Sequence, residues 1–185
     1  MHSTIGIDIA APPELVYRLA RDVTRWSRIL PHYSRSEVVH REPDGVLVCD
    51  FVARRPFVPL LGLGLPVTWR SRTWHEPGTR RLRFLHVAGA TKGMDVTWTI
   101  ELVPRPNGAP GTRVEIAHEF SPAIQGFAWF VDRFFTRPIA GRTLATFRAL
   151  AEAVADDVEA IVVADATAAG SPPEDASEPA LTTNT

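Results

Sequence analysis

Over residues 81–88 the apolar Leu82, Phe84 and Ala88 share a parity with His86, and over 112–120 Val114, Ile116 and Phe120 share one with His118. Successive side chains of a strand alternate between faces, so both imidazoles are predicted on inner, apolar faces. Between them, 94–102 puts Met94, Val96, Trp98, Ile100 and Leu102 on one parity with no polar member. If 88–93 and 104–111 are turns, His86 and His118 flank the Met94/Val96 region at roughly 10 Å, two strand spacings. Imidazole passes protons near neutral pH, and burial favours its neutral form, so the pair is a candidate acid/base constellation. The same pattern fits two hydrogen-bonded core histidines, and both readings stand at this point.

A third strand offers hydroxyls. Val67, Trp69, Ser71 and Thr73 form its inward set, with Arg70, Arg72 and Trp74 outside. A slip of one residue would turn Arg70 and Arg72 inward, where their donors could stabilise an enolate or carboxylate. Other chemistries drop out. The six histidines are dispersed, Cys49 is the single cysteine, and no metal-binding helix signature occurs, so no metal is expected. Gly62-Leu63-Gly64 lacks the third glycine and the strand-to-helix setting of a dinucleotide fingerprint, and no cofactor is expected.

These side chains need a sheet and something to cover it. Ile5, Ile7 and Ile9 alternate with polar neighbours and predict a first strand. Leu15, Val16, Leu19 and Val23 then recur at helical spacing behind Pro13, and Thr24 is a candidate cap for a short helix over 25–30 that ends at Pro31. Six further strands are predicted at 33–41, 46–54, 67–75, 81–87, 94–103 and 112–120. The turn-like connections Pro43-Asp44-Gly45, Glu76-Pro77-Gly78 and Arg105-Pro106-Asn107-Gly108 imply antiparallel hairpins. From Pro138 to about Val163, Ala140, Leu144, Phe147, Ala151, Val154, Val158 and Ile161 form one apolar stripe, a single long helix. The fold class is therefore α+β, a curved seven-stranded antiparallel sheet under a long carboxy-terminal helix, with room for an apolar cavity between them.

Two apolar segments remain. Residues 55–66, with Phe57, Val58, Leu60, Leu61, Leu63 and Leu65, read as a loop that either covers the core, gates the cavity or touches a membrane. Phe127, Phe130, Val131, Phe134 and Phe135 suggest a second flap, with core packing, ligand contact or weak membrane anchoring as its roles.

The 185 residues suit one domain, and 45% hydrophobic with 22% charged residues excludes fibrous, disordered and membrane classes. The net charge is −1, and 19 of the 20 basic residues are scattered arginines, so no nucleic-acid partner is expected. The absence of a secretory pattern at the start suggests the cytoplasm. The domain is placed at 1–163, and 164–185, acidic and poor in large side chains, is expected to be a disordered tail.

Ile7-Asp8-Ile9-Ala10-Ala11-Pro12-Pro13-Glu14-Leu15-Val16-Tyr17, then Arg21-Asp22-Val23-Thr24-Arg25-Trp26 and Pro31-His32-Tyr33, resemble the START-like (SRPBCC) polyketide cyclase/dehydrase superfamily. Trp69-Arg70-Ser71, Met94-Asp95-Val96-Thr97-Trp98 and His118-Glu119-Phe120 look most like the aromatase/cyclases of bacterial aromatic polyketide pathways. The resemblance implies a helix-grip, Bet v 1-like fold. It also implies a cavity that folds a carrier-bound poly-β-ketone chain for aldol closure and loss of water, with an acyl carrier protein as partner. Carried over by motif, Trp26, Tyr33, Trp69 and Ser71 match the group's cavity residues, and His118 falls on the last strand, where some members use a polar or basic side chain. Joined to the strand parities, this makes Tyr33, His118 and His86 candidate catalytic residues, and Trp26, Trp69, Ser71, Thr73, Phe84, Met94 and Trp98 candidate substrate contacts. Thr73 stands where the aromatase/cyclases place an inward arginine, which keeps open a noncatalytic carrier of a quinone, lipid or other hydrophobic small molecule.

Overall fold

The computed structural model describes residues 1–58, 63–124 and 126–169. In order, the chain forms β1 (His2–Ile9), α1 (Pro13–Arg21), a 3-10 turn (Val23–Arg25), α2 (Trp26–Ile29), β2 (Tyr33–Arg41), β3 (Leu47–Val58) and β4 (Leu63–His75). There follow β5 (Arg81–Gly89), β6 (Asp95–Pro104), β7 (Pro110–Glu119), α3 (Phe127–Val131), a π-helical turn (Asp132–Thr136) and α4 (Arg137–Ala169).

Seven strands make one antiparallel sheet, ordered β1-β7-β6-β5-β4-β3-β2. From β2 to β7 each strand pairs with the next, because the short turns leave no other geometry. β1 pairs with β7, setting Ile5 opposite Ile116 and Ile9 opposite Thr112. The curved sheet and α4 together form the expected helix-grip arrangement.

The inward parities hold over the centre of the sheet, but Leu102 near the end of β6 is 62% exposed and Ala88, beyond an irregularity in β5, is exposed too; the slip that would bring Arg70 and Arg72 inside does not occur. Ser71 and Thr73 are buried, while Arg70 forks onto Asp50 at 2.6 and 2.9 Å and Arg72 pairs with Glu42 on the outer face. The irregularity that could have caused a slip falls on β5 instead, between the pairs Arg70–Ala88 and Ser71–His86. Beside it, Gly89 has φ +94°, and a Cβ there would lie 2.5 Å from the Thr68 carbonyl oxygen, so only glycine lets β5 approach β4 so closely.

Three expectations are corrected. Thr24 donates to Asp22 at 2.5 Å and caps no helix, since the chain takes a 3-10 turn there. The expected loop at 55–66 is largely strand: β3 and β4 run on as a two-stranded ribbon, pairing Arg55 with Leu65 and Pro56 with Gly64. That ribbon extends past the ends of β2 and β5, where no further neighbour needs an amide from Pro56 or Pro66. Its tip at 59–62 and the side chains of Phe57, Val58, Leu60, Leu61 and Leu63 lie outside the described residues. Finally, α4 buries only the first part of its stripe: Leu144, Phe147 and Ala151 are sealed, whereas Val154 and Val158 are 41% and 55% exposed. At 33 residues the helix is about 50 Å long and outruns the sheet beneath it. It continues to Ala169, past the expected end near Val163, and residues 170–185 of the expected tail lie outside the described residues.

Trp26 is the hub of the core, its ring centroid 5.5 Å from Trp98, 5.6 Å from Phe84 and 6.0 Å from Phe147. Its indole N–H donates to the Ala20 carbonyl at 3.1 Å, which satisfies the one polar atom the hub would otherwise strand.

Candidate functional site

Between the inner face of the sheet and the start of α4 lies a cavity of about 80 Å³. Its floor and sheet-side wall are aromatic and aliphatic: Trp26, Trp69, Phe84, Met94, Val96 and Trp98. Phe135 and Thr136 of the π-helical turn, with Ile139, Ala140 and Thr143 of α4, close the other side. Three of the expected chemical groups meet here, since Tyr33, His86 and His118 all line it.

His86 is fixed from two directions. Its ring stacks on Trp69 at 5.7 Å, and its Nδ1 lies 2.7 Å from the Thr91 hydroxyl. Burial first, and then the nearby His118, push its pKa down to about 3, so the ring is neutral at physiological pH. His118 sits one strand beyond β6, opposite Val96. It is 5% exposed and also neutral: burial lowers its pKa to about 4, against opposing pulls from the Ser3 backbone and Asp132. Its Nδ1 is buried with no hydrogen bond of standard geometry. Facing it, Asp132 receives the Arg137 guanidinium at 2.8 Å through Oδ2, while its Oδ1 is buried and unsatisfied.

Tyr33 is held as a phenol, burial raising its pKa well above the ordinary value, with partial relief from the Thr143 hydroxyl. Thr143 donates to the Ile139 carbonyl at 2.9 Å, so the His32 Nε2 at 2.9 Å must be the donor to Thr143. The buried His32, lowered to about 4 mainly by burial, is thereby a neutral strut behind Tyr33, with ring centroids 4.9 Å apart. Neutral imidazoles and an un-ionised phenol are donors and polarisers of oxygen rather than strong bases. Such a set suits a carbonyl that gains negative charge.

Ser71 and Thr73 do not border the cavity. Ser71 donates to backbone carbonyls, reaching Leu85 at 3.2 Å and Arg72 at 3.1 Å, so it has no proton to offer a ligand. Thr73 lies instead against Cys49, whose thiol is raised to about 11 by burial and is no nucleophile. Thr91, Thr136 and Thr143 were missed. The last two follow the apolar stripe at helical spacing, 136–140–143–147, and would have been found by including threonine in the pattern. Thr91 lies in a turn, where no periodicity marks it.

Among the described residues, no helix is long and apolar enough to cross a membrane. The family profile for polyketide cyclase/dehydrase and lipid transport matches residues 9–148. No curated protein sequence matches significantly. Among solved structures, the ZhuI aromatase/cyclase from Streptomyces sp. R1128 superposes with a TM-score of 0.66 at 18% identity, over 82% of this chain and 93% of that one. A Thermus thermophilus protein gives 0.59 at 24% identity, over 82% and 95%. The di-domain aromatase/cyclase BexL of the BE-7585A biosynthetic pathway gives 0.59 at 25% identity, over 80% of this chain and 45% of the di-domain.

Proposed function

This chain belongs to the polyketide cyclase/dehydrase and lipid-transport family, and on that premise we propose that it binds an acyl, poly-β-ketone intermediate and assists aldol cyclisation and dehydration. The observation that carries this reading is the convergence of His86, His118 and Tyr33 on one apolar cavity.

In this mechanism the apolar wall fixes the bend of the chain, which lowers the entropic barrier to one ring closure among several. His86 orients a carbonyl oxygen. His118 takes the α-proton on its bare nitrogen as the enolate forms, and Tyr33 gives its proton to the attacked carbonyl oxygen as the C–C bond replaces that C=O π bond. In the dehydration the Tyr33 phenolate takes the second α-proton and the His118 imidazolium protonates the hydroxyl that leaves as water, so both groups end as they began. An acyl carrier protein presents the chain.

The cavity itself sets the entry condition. Drug-sized ligands occupy roughly 300–1,000 Å³, so Phe135 and Thr136 at the rim move aside when an acyl chain enters. A second reading, a noncatalytic carrier of a quinone, lipid or other apolar molecule, is favoured by Thr73, whose hydroxyl lies on Cys49 rather than in the cavity. Separate His118→Phe and Tyr33→Phe variants, assayed for ring closure and for ligand retention, decide between the two. Loss of closure with retained binding supports the enzyme; unchanged closure in both variants removes the catalytic assignment.

A further inference from the structure

Thr91 is 7% exposed in the turn between β5 and β6, and its hydroxyl makes one hydrogen bond among the described residues, to Nδ1 of His86. A hydroxyl carries one proton, and a neutral imidazole has one bare nitrogen. If Nδ1 carried the imidazole proton, the Thr91 proton would have no acceptor among the described residues, on a side chain that borders the cavity but is only 7% exposed. With the Thr91 proton on Nδ1, the hydroxyl is satisfied and the one donor left over is the imidazole N–H. The proton of His86 then sits on Nε2, the nitrogen that no described residue bonds, on a side chain that lines the cavity. Stacking on Trp69 at 5.7 Å holds the ring against a flip, which would put Cδ2 where Nδ1 now meets Thr91.

We propose that Thr91 is a positioning residue that locks His86 as the Nε2–H tautomer, so that the cavity selects ligands presenting a hydrogen-bond acceptor oxygen, a ketone or quinone carbonyl, at that point. The inference rests on the cavity assigned above and deepens it by naming the oxygen class that His86 receives. It also divides labour between the histidines. His86 is committed to donating, and His118, which lines the same cavity with no side-chain hydroxyl bonded to it among the described residues, is the partner left to exchange a proton.

The test has two readouts, neither of which requires turnover. Long-range 1H–15N spectra of the full chain report the His86 tautomer in the wild type, Thr91→Val and Thr91→Ser. Affinities for cyclohexanone and its oxygen-free isostere methylenecyclohexane report selection. In the wild type and Thr91→Ser the spectra show Nε2–H. In Thr91→Val that signature is lost or mixed, and the ketone-to-alkene affinity ratio falls about tenfold, one neutral hydrogen bond's worth. An Nδ1–H tautomer in the wild type overturns the proposal, as does a Thr91→Val protein with unchanged tautomer and ratio. Cyclase activity lost in His118→Phe but unaltered in Thr91→Val leaves the enzymatic reading intact while removing this one, so the two fail separately.

Discussion

The floor of the cavity and its rim are both built of aromatic side chains, yet they are opposite materials. On the floor, Trp26, Phe84 and Trp98 are each less than 5% exposed, their rings lie 5.5 to 6.1 Å from one another, and both tryptophans also meet Phe147. At the rim, α3 and the π-helical turn hold a looser set: Trp129 is 65% and Phe130 42% exposed, while Phe135 reaches inward to the cavity. Aromatic content alone does not distinguish a core from a door. Neighbours on every side do, because a ring gains dispersion and loses water only where other atoms surround it.

The largest expected effect tests the floor. Trp98→Ala should destabilise the fold by about 3–5 kcal/mol in denaturant unfolding, since its hole is ringed by rigid aromatics that cannot collapse into it. A loss below about 1 kcal/mol, no larger than an ordinary point mutation, would mean that the floor is as soft as the rim.

Acid should attack the sealed region through its histidines. His118 titrates near 4 in the folded chain against about 6.5 when unfolded. As pH falls below 6.5 the unfolded chain binds the proton first. Stability is therefore full above about 6.5 and declines as pH drops toward 4, by roughly 3 kcal/mol per buried imidazole. His32 adds a decline of the same sign, and His86, lowered further, extends the window to more acidic pH. Unfolding free energy measured from pH 7 to 4.5 should fall steeply in the wild type and less so in His118→Phe; equal slopes would contradict the burial assigned to that ring.

Where the two regions join, Thr143→Val removes the acceptor of His32 and the contact of Tyr33. Because it strands buried donors, it should cost about 1–3 kcal/mol by thermal or chemical unfolding. The smallest effect belongs to the rim. Trp129→Ala should change stability by no more than about 0.5 kcal/mol, and a loss comparable to that of Trp98→Ala would erase the distinction between the regions.

Much of the site was legible. Period-2 alternation assigned His86 and His118 to the inner face, and Leu82, Phe84, Val96, Trp98, Val114 and Ile116 are buried as that alternation requires. The same rule kept Arg70 and Arg72 outside, where they pair with Asp50 and Glu42. It placed Ser71 and Thr73 on the inner face correctly but not at the cavity, because an inward parity says which face a side chain takes and nothing of how far along the strand a cavity extends. The apolar run at 55–66 reads as a loop for a related reason: two strands that leave the sheet as a ribbon lack the alternation that burial on one face imposes.

The sequence by itself determined the order of elements, the inward parities and the placement of two imidazoles on either side of β6, since all of these follow from backbone geometry and turn chemistry acting over a few residues. Tertiary structure alone decided that β1 closes onto β7, that Thr91 and Thr143 hold the proton-bearing groups, that α4 outruns its sheet, and that the enclosed space is about 80 Å³. A cavity is what remains after distant side chains have packed, and its size is a small difference between large filled volumes that no local pattern encodes.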